Sequence, residues 1–292
     1  MSFSQRVQNL PHLGIGVSTE YGAFRGSESL DIMALRQAHP QFARFLEVGV
    51  ELEKGLDEDT QAWIEGGGAT TFHFLDVNLD DPEDFDESWL QGIRETAKTL
   101  KPAWMCGDAG LWHLGPRERG SMLLLPPICA PDAVSPMAEG IQRLREEVGL
   151  EVLPENPPGS IFLGSLHLLD FFARVIDEAD TGFLLDCAHL AIYQKLKGLA
   201  PTTGLDQFPL DKVIEIHVAG AHIQSVDGLS FVEDNHTPNV LPETWEILEY
   251  VAPRATELRA TVFECERNPM ETTLSGFQRI QKTLSTHFGG IK

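Results

Sequence analysis

The sequence predicts an α/β fold, a (β/α)8 or TIM-type barrel that occupies residues 1–292 as a single catalytic domain. Three observations indicate this fold. Eight short apolar runs recur along the chain, segments with helical spacing separate them, and the length suits one such barrel. An open doubly wound sheet is the alternative, but no glycine-rich fingerprint follows the first run, which disfavours its dinucleotide-binding form.

The eight runs are rich in branched and aromatic residues, and most are almost continuously apolar. Such runs are typical of strands that are buried on both faces of a parallel sheet. They are LGIGVS (13–18), FLEVGVEL (45–52), ATTFHFLDV (69–77), PAWMCGDA (102–109), LEVLPEN (150–156), GFLLDCAH (182–189), KVIEIHVAGA (212–221) and ATVFECE (260–266).

The segments between these runs place apolar residues three or four positions apart, which predicts amphipathic helices. Because strands and helices alternate along the whole chain, the pattern favours a closed parallel barrel. Clear helical examples are SWLQGIRETAKTLK (88–101), PMAEGIQRLREEVG (136–149), SLHLLDFFARVIDEA (165–179) and PETWEILEYVAPRA (242–255).

Composition and charge narrow the classes of function. The 44 acidic and 22 basic residues give a net charge of −22, whereas a protein that grips phosphates needs basic residues, so nucleic acid is excluded as a partner. A well-solvated surface explains the acidity most simply, and attraction for cations or a basic peptide is the other explanation. The first residues lack a secretory signal pattern and no run reaches the roughly 20 apolar residues of a membrane span. The sequence therefore predicts a cytoplasmic protein without a membrane partner.

The cysteines are predicted to be buried apolar residues. Cys106, Cys129, Cys187 and Cys265 are far apart and form no CxxC pair. This spacing argues against a zinc ribbon, a redox motif and a disulfide framework.

Carboxylates and imidazoles lie at the ends of seven of the eight predicted strands, counting Glu51 at the end of the second. Strand ends meet at the C-terminal mouth of a barrel, and an isolated ionisable side chain is costly to bury there. We therefore predict a metal site at the mouth. Its candidate ligands are His73, Asp108, Glu155, Asp186, His189, His217, Asp234, His236 and Glu264.

Mixed imidazole and carboxylate ligands suit iron, manganese or zinc. Nine candidates exceed the six ligands of one octahedral ion, which predicts two or more ions with bridging carboxylates such as Glu155, while some candidates would only orient ligands. His217, Glu155 and Asp186 are the predicted catalytic residues. Other roles stay open: packing for His73, a helix-start surface position for His189 and a βα turn for Asp108.

Several motifs also occur in an order that resembles a known family, the multinuclear non-heme iron-dependent oxidative enzymes, which include the methanobactin-forming oxidase. The similarity extends from about residue 13 to about residue 270. The motifs are LGIG (13–16), FLEVGVE (45–51), His73, ENP (155–157), LLDCAH (184–189), EIHVAGAH (215–222), DNH (234–236) and FECE (263–266).

The resemblance implies two or three non-heme iron ions in mixed valence and O2 as co-substrate. It implies oxidative modification of a residue, often Cys, Asn or Asp, in a ribosomally synthesised precursor peptide, commonly with a partner protein that recognises the leader peptide. The ligands that it implies are His73, Glu155, Asp186, His217, Asp234, His236 and Glu264.

Three positions depart from the family pattern and predict a divergent subgroup. Gly49 and Asp108 stand where the family often has histidine, and His189 stands where it typically has asparagine. Asp108 and His189 are both able to ligate iron, so the departures exchange ligand types within the site.

Two other classes of function remain open. A divalent-metal sugar isomerase or epimerase of the xylose-isomerase type has a similar ligand set but usually a catalytic lysine at the mouth, and no lysine ends a predicted strand here. A metal-dependent phosphodiesterase is disfavoured by the net charge. A non-catalytic peptide-binding barrel would require broken ligand positions, and most of those positions are intact.

Overall fold

The computed structural model describes residues 1–19, 29–49, 51–52, 54–115, 117, 123–226 and 229–285. Eight parallel strands close into a barrel, which confirms the predicted fold class. All eight runs predicted to be strands contribute one. The barrel strands are β1 (Gly14–Ser18), β2 (Phe45–Gly49), β3 (Ala69–His73), β4 (Met105–Asp108), β5 (Val152–Glu155), β6 (Phe183–Asp186), β7 (Val213–Ala219) and β10 (Ala260–Glu264).

Around the barrel the strand order is β1-β10-β7-β6-β5-β4-β3-β2. Barrel strands that follow one another along the chain are therefore neighbours, and β7 and β10 are neighbours although a separate hairpin lies between them in the sequence. That hairpin consists of β8 (Ala221–Val226) and β9 (Leu229–Asp234), which pair antiparallel between β7 and β10 in the chain. The sequence predicts no strand between residues 222 and 259, so the hairpin is an addition to the predicted architecture.

Helices follow most of the strands, and the four helices named from the sequence are confirmed to within four residues at each end. None of the helices in the described part of the chain combines the length and the apolar composition needed to cross a membrane. The described helices are α1 (Phe3–Arg6), α2 (Ile32–Ala38), α3 (Glu58–Glu65), α4 (Glu87–Leu100), α5 (Val134–Val148), α6 (Leu168–Glu178), α7 (Cys187–Lys197), α8 (Pro242–Val251) and α9 (Met270–Leu284).

The core has two parts, because side chains along each strand alternate between the barrel interior and the helices. On β2, Leu46 and Val48 belong to the large apolar cluster that includes the helices, whereas Phe45 belongs to a smaller cluster with Trp104 and Val262. The smaller cluster fills the lower barrel and leaves the C-terminal end to polar side chains. The prediction of a single domain over residues 1–292 stays a prediction.

A close approach between helix α5 and the loop after β3 gives a first testable prediction. A Cβ at Gly140 would lie 1.7 Å from the carbonyl oxygen of Leu79, which is backbone and cannot rotate away. Gly140→Ala is therefore expected to lower the free energy of unfolding by roughly 3 kcal/mol, as overpacking does. Chemical denaturation followed by circular dichroism measures this change.

Gly92 in α4 provides a matched control for that substitution. A Cβ there would lie 2.9 Å from Cδ1 of Leu52, the end of a flexible side chain. Since alanine is favoured over glycine in helices by about 1 kcal/mol, Gly92→Ala should be neutral or stabilising. Equal effects of the two substitutions would contradict the packing seen at Leu79.

Candidate metal centre

The structure brings all nine predicted ligand residues together at the C-terminal mouth of the barrel. Seven of them line an open cavity of about 520 Å³, and Asp186 and His217 lie fully buried directly beneath it. The seven are His73, Asp108, Glu155, His189, Asp234, His236 and Glu264.

Glu155, the last residue of β5, is at the centre of this group and is fully buried. Its Oε2 lies 2.9 Å from Nε2 of His73, and its Oε1 lies 3.4 Å from Nδ1 of His189 and 3.5 Å from Nδ1 of His217. One carboxylate therefore reaches imidazoles from three different elements, β3, α7 and β7. This is the arrangement expected of a bridging carboxylate.

The strand-to-helix junction after β6 explains the positions of Asp186 and His189. Asp186 ends β6 and caps α7, because its Oδ1 accepts a hydrogen bond from the backbone N–H of His189 at 2.6 Å. Asn156 fixes the same junction by pairing with both backbone groups of Asp186, at 2.9 and 3.0 Å. His189 is thus buried and turned into the site, which excludes the surface position considered from the sequence.

The β8–β9 hairpin returns the chain to the mouth and so places Asp234 and His236 beside it. Residue Ala221 pairs with Asp234, so the end of β9 lies next to the end of β7. Asp234 Oδ2 lies 3.0 Å from Nε2 of His189 and 3.2 Å from Nε2 of His236. On its other side, Nδ1 of His236 lies 2.5 Å from Oε1 of Glu266.

The charge in the site is strongly unbalanced. Among the described residues lining the cavity there is no lysine or arginine, so positive charge must come from imidazolium groups or from bound cations. Four imidazoles face seven carboxylates: His73, His189, His217 and His236 against Glu47, Asp108, Glu155, Asp186, Asp234, Glu264 and Glu266.

These charges shift the protonation of the groups. Burial alone would lower the pKa of His73, but the hydrogen bond to Glu155 and nearby carboxylates raise it to about 9. The carboxylates likewise outweigh burial and raise the pKa values of His189, His217 and His236 well above the ordinary value. Burial raises the pKa of Asp186 to about 7. In the metal-free site the imidazoles therefore keep their protons, and the same carboxylates would stabilise a bound cation.

Unpaired buried atoms test whether this site fits metal ions. A buried polar atom without a partner costs about 1–3 kcal/mol, so such atoms should be rare. Among the described residues, the buried side-chain atoms that lack a hydrogen-bond partner include five atoms of predicted ligands. A metal ion bound to these five atoms would satisfy them. They are Asp108 Oδ1, Asp186 Oδ2, His217 Nδ1, Asp234 Oδ1 and Glu264 Oε2.

The donor atoms also group as metal sites require. His73, Asp108 and Glu155 each offer an atom within 4.8 Å of the others, and Glu155, Asp186 and His189 do the same. A further group combines Glu47, His217 and Glu264. Since the first two groups share Glu155, the residues present fit more than one ion of the iron, manganese or zinc class.

The assignment of Glu51 to the end of the second strand is wrong. Strand β2 ends at Gly49, and Glu51 is partly exposed and paired with Lys54 at 2.6 Å. Glu47 faces the site instead, which the sequence analysis missed. Glu266, the last residue of the FECE motif, is found to hold His236.

Other expectations from the sequence also have clear outcomes. Asp108 is buried at the end of β4 rather than in an ordinary turn. His222 is exposed on the hairpin. The four cysteines are free and buried, as predicted.

Comparison with known proteins identifies the family. Residues 28–285 match the family model described as "RiPP precursor modification enzyme MbnB/TglH/ChrH", where RiPP denotes a ribosomally synthesised and post-translationally modified peptide. The chain belongs to this family. The match confirms the resemblance to the multinuclear iron enzymes that the motifs predicted.

Relatives of this chain include a UPF0276 protein of Neisseria meningitidis serogroup C. It is 25% identical over 200 residues, which cover 67% of this chain and 69% of the relative. A UPF0276 protein of Bordetella bronchiseptica is 25% identical over 232 residues, covering 77% and 78% of the two chains.

Solved structures with a similar fold are xylose-isomerase-like barrels. One from Mycobacterium smegmatis, in complex with magnesium, has a TM-score of 0.58 and 12% identity, covering 95% of this chain and 99% of that one. The 3-keto-D-glucoside 4-epimerase of E. coli has a TM-score of 0.52 and 16% identity, covering 94% and 99%. At such identities the similarity establishes the fold of the MbnB/TglH/ChrH chain and not its reaction.

Proposed function

We propose that the protein is a multinuclear non-heme iron enzyme that uses O2 to oxidise a Cys, Asn or Asp side chain in a ribosomally synthesised precursor peptide. The observation that carries the proposal is the central position of Glu155 among His73, His189 and His217. A carboxylate in this position can bridge two ions, and imidazole–carboxylate sets are typical of non-heme iron oxygenases. Membership of the MbnB/TglH/ChrH family supports a peptide substrate.

Two overlapping ligand groups would hold the first two ions. We assign His73, Asp108 and Glu155 to one, and Glu155, Asp186 and His189 to the other. Asp234, His236, His217 and Glu264 supply donors for a further ion. Bound iron would supply electron transfer and O2 activation, which the side chains alone do not provide.

The protein's own contribution is to orient ligands and to limit access. The predicted ligands lie on a barrel strand, in the hairpin return or in the first turn of a helix, so the barrel fixes their positions. The cavity opens to solvent between these side chains, so it can admit a peptide side chain but not a folded domain. A leader-recognising partner protein would bind the rest of a precursor peptide outside this cavity.

Metal analysis of the purified protein tests this proposal. We expect more than one iron per chain after expression in iron-supplemented cells, with Mössbauer and EPR spectra of coupled ions. We also expect O2 consumption that depends on a precursor peptide encoded beside the gene. A single zinc, manganese or magnesium ion per chain, without O2 consumption, would reject the proposal in favour of the sugar isomerase class.

A further inference from the structure

A carboxylate that is not among the predicted ligands lies at the floor of the site. Glu47, on β2, is 2% exposed, and its Oε1 and Oε2 lie 3.1 and 3.2 Å from Nε2 of His217 across the barrel. Side chains on strands β3 and β4 hold the Glu47 carboxylate in place. The Cys106 thiol on β4 donates to Oε2 at 3.1 Å, and the Thr71 hydroxyl on β3 donates to the same atom at 3.5 Å.

The two ring nitrogens of His217 consequently have different surroundings. Nε2 faces Glu47, which is an acceptor, so Nε2 carries the hydrogen. Nδ1 is buried, has no hydrogen-bond partner in the described part of the chain, and lies 3.4 Å from Glu264 Oε1 and 3.5 Å from Glu155 Oε1. When metal replaces the second proton of the ring, the lone pair that becomes available is therefore that of Nδ1, on the side of the predicted ligands.

We infer that Glu47 is a positioning residue that holds Nε2–H of His217 and thereby makes Nδ1 the nitrogen that ligates metal. The inference rests on the proposed function in one respect, that metal occupies this site. Outer carboxylates that bind the second nitrogen of a ligating histidine fix its tautomer and its ring orientation. Here that carboxylate is supplied by the opposite side of the barrel.

His236 has the reverse arrangement, which makes the inference specific. Its Nδ1 lies 2.5 Å from Glu266 Oε1, whereas its Nε2 lies 3.2 Å from Asp234 Oδ2 and 3.9 Å from Glu264 Oε2. Ser18 donates a hydrogen bond to the other oxygen of Glu266 at 3.2 Å. Glu266 thus holds His236 for ligation through Nε2, while Glu47 holds His217 for ligation through Nδ1.

The alternative role for Glu47 is direct ligation, since its carboxylate lies within 4.8 Å of donor atoms of His217 and Glu264. Its existing contacts argue against that role. Oε2 already receives Cys106 and Thr71, and both oxygens lie at hydrogen-bond distance from His217. A metal ion on either oxygen of Glu47 would make this residue a ligand in its own right, so a structure with bound iron distinguishes the two roles.

A crystal structure of the iron-loaded wild-type protein is the direct test. We expect iron nearest to Nδ1 of His217 and to Nε2 of His236, with Glu47 hydrogen-bonded to His217 and not bound to iron. Iron bound to Nε2 of His217, or to Glu47, would overturn the inference and leave the proposed function standing. Protein that binds no iron at all would overturn both.

Variants add a second readout that does not depend on turnover. Ferrous iron affinity, measured by competition with a chromophoric chelator, should weaken about 10-fold in Glu47→Gln and about 100-fold in Glu47→Ala, the range for residues that orient ligands. Glu51→Gln is the matched control on the same segment and should bind iron as the wild type does, because Glu51 pairs with Lys54 and is not among the described residues that line the cavity. Equal affinity of Glu47→Gln, Glu47→Ala and the wild type would contradict the inference. If a Glu47 variant fails to fold, the wild-type crystal structure still decides.

Discussion

Replacing Glu155 by glutamine is expected to remove at least one iron ion per chain and to abolish turnover. Glu155 is the one carboxylate within 3.5 Å of His73, His189 and His217 among the described residues, and it belongs to two of the ligand groups. Glutamine has nearly the same shape but no charge and only one acceptor oxygen, so it cannot bridge two cations. Iron affinity should fall by more than about 100-fold, beyond the range for residues that merely orient ligands.

Glu51→Gln serves as the matched control for this substitution as well. It changes the same residue type in the same way, but at a partly exposed position paired with Lys54. Iron content by elemental analysis and peptide-dependent O2 consumption should be unchanged in Glu51→Gln, whereas Glu155→Gln should hold at least one iron ion fewer per chain and consume no O2. A Glu155→Gln enzyme with full iron content and activity would show that Glu155 is a structural residue and would remove the main support for the proposed function.

Most of the barrel could be predicted from the sequence, because parallel strands buried on both faces leave long apolar runs. The run LEVLPEN, for example, predicts β5 and also places Glu155 at its end. Strand ends share one face of a barrel, so the same reasoning located the site without any contact information. His217 and His73 were found in this way, on strands that are distant in sequence.

The choice between Glu47 and Glu51 could not be made from the end of a run alone. FLEVGVEL keeps a strand-like pattern through residue 52, but β2 ends at Gly49 and Glu51 is partly exposed. Alternation along the strand is the signal that could have identified Glu47. Phe45 lies inside the barrel and Leu46 outside it, so the residue two positions after Phe45 faces inward.

The hairpin was beyond sequence reasoning for a different reason. Its strands, AHIQSV and LSFVED, mix polar and apolar residues, so they lack the continuous apolar pattern of the barrel strands. The motif DNH predicted ligands here but not how the chain returns to the mouth. A close backbone approach fixes that return, since a Cβ at Gly220 would lie 1.9 Å from the carbonyl oxygen of Thr237.

The departures from the family pattern have a structural counterpart. Asp108 occupies a place where the family often has histidine, and His189 one where it typically has asparagine. The two side chains are neighbours, with 3.8 Å between Asp108 Oδ1 and His189 Nδ1. β4 carries Asp108 in place of a histidine, and His189 in the first turn of α7 brings an imidazole to the same part of the site. The two departures together therefore retain one imidazole there. The divergent subgroup itself stays a prediction.

The metal-free protein is expected to lose stability as the pH rises from 6.5 to 9, and the iron-loaded protein is not. Carboxylates around His73, chiefly Glu155 and Glu47, outweigh burial and raise its pKa from 6.5 to about 9 in the folded state. Protonated His73 therefore stabilises the fold fully below pH 6.5, and this contribution is lost as the pH passes through about 9. The shift corresponds to on the order of 3 kcal/mol, and His189, His217 and His236 shift in the same direction.

Thermal unfolding at pH 6.5 and pH 9, with a chelator or with bound iron, measures this difference. Since a change of 1 kcal/mol moves the melting temperature of a protein of this size by roughly 2 °C, the metal-free protein should lose several degrees. Metal replaces the protons on the imidazoles, so the loaded protein should show little change. His73→Gln should reduce the pH dependence of the metal-free protein, whereas His222→Gln, at an exposed hairpin position, should leave it unchanged. A metal-free protein that is equally stable at both pH values would show that these imidazoles are not held protonated by the surrounding carboxylates, and the electrostatic case for a cation site would fail with it.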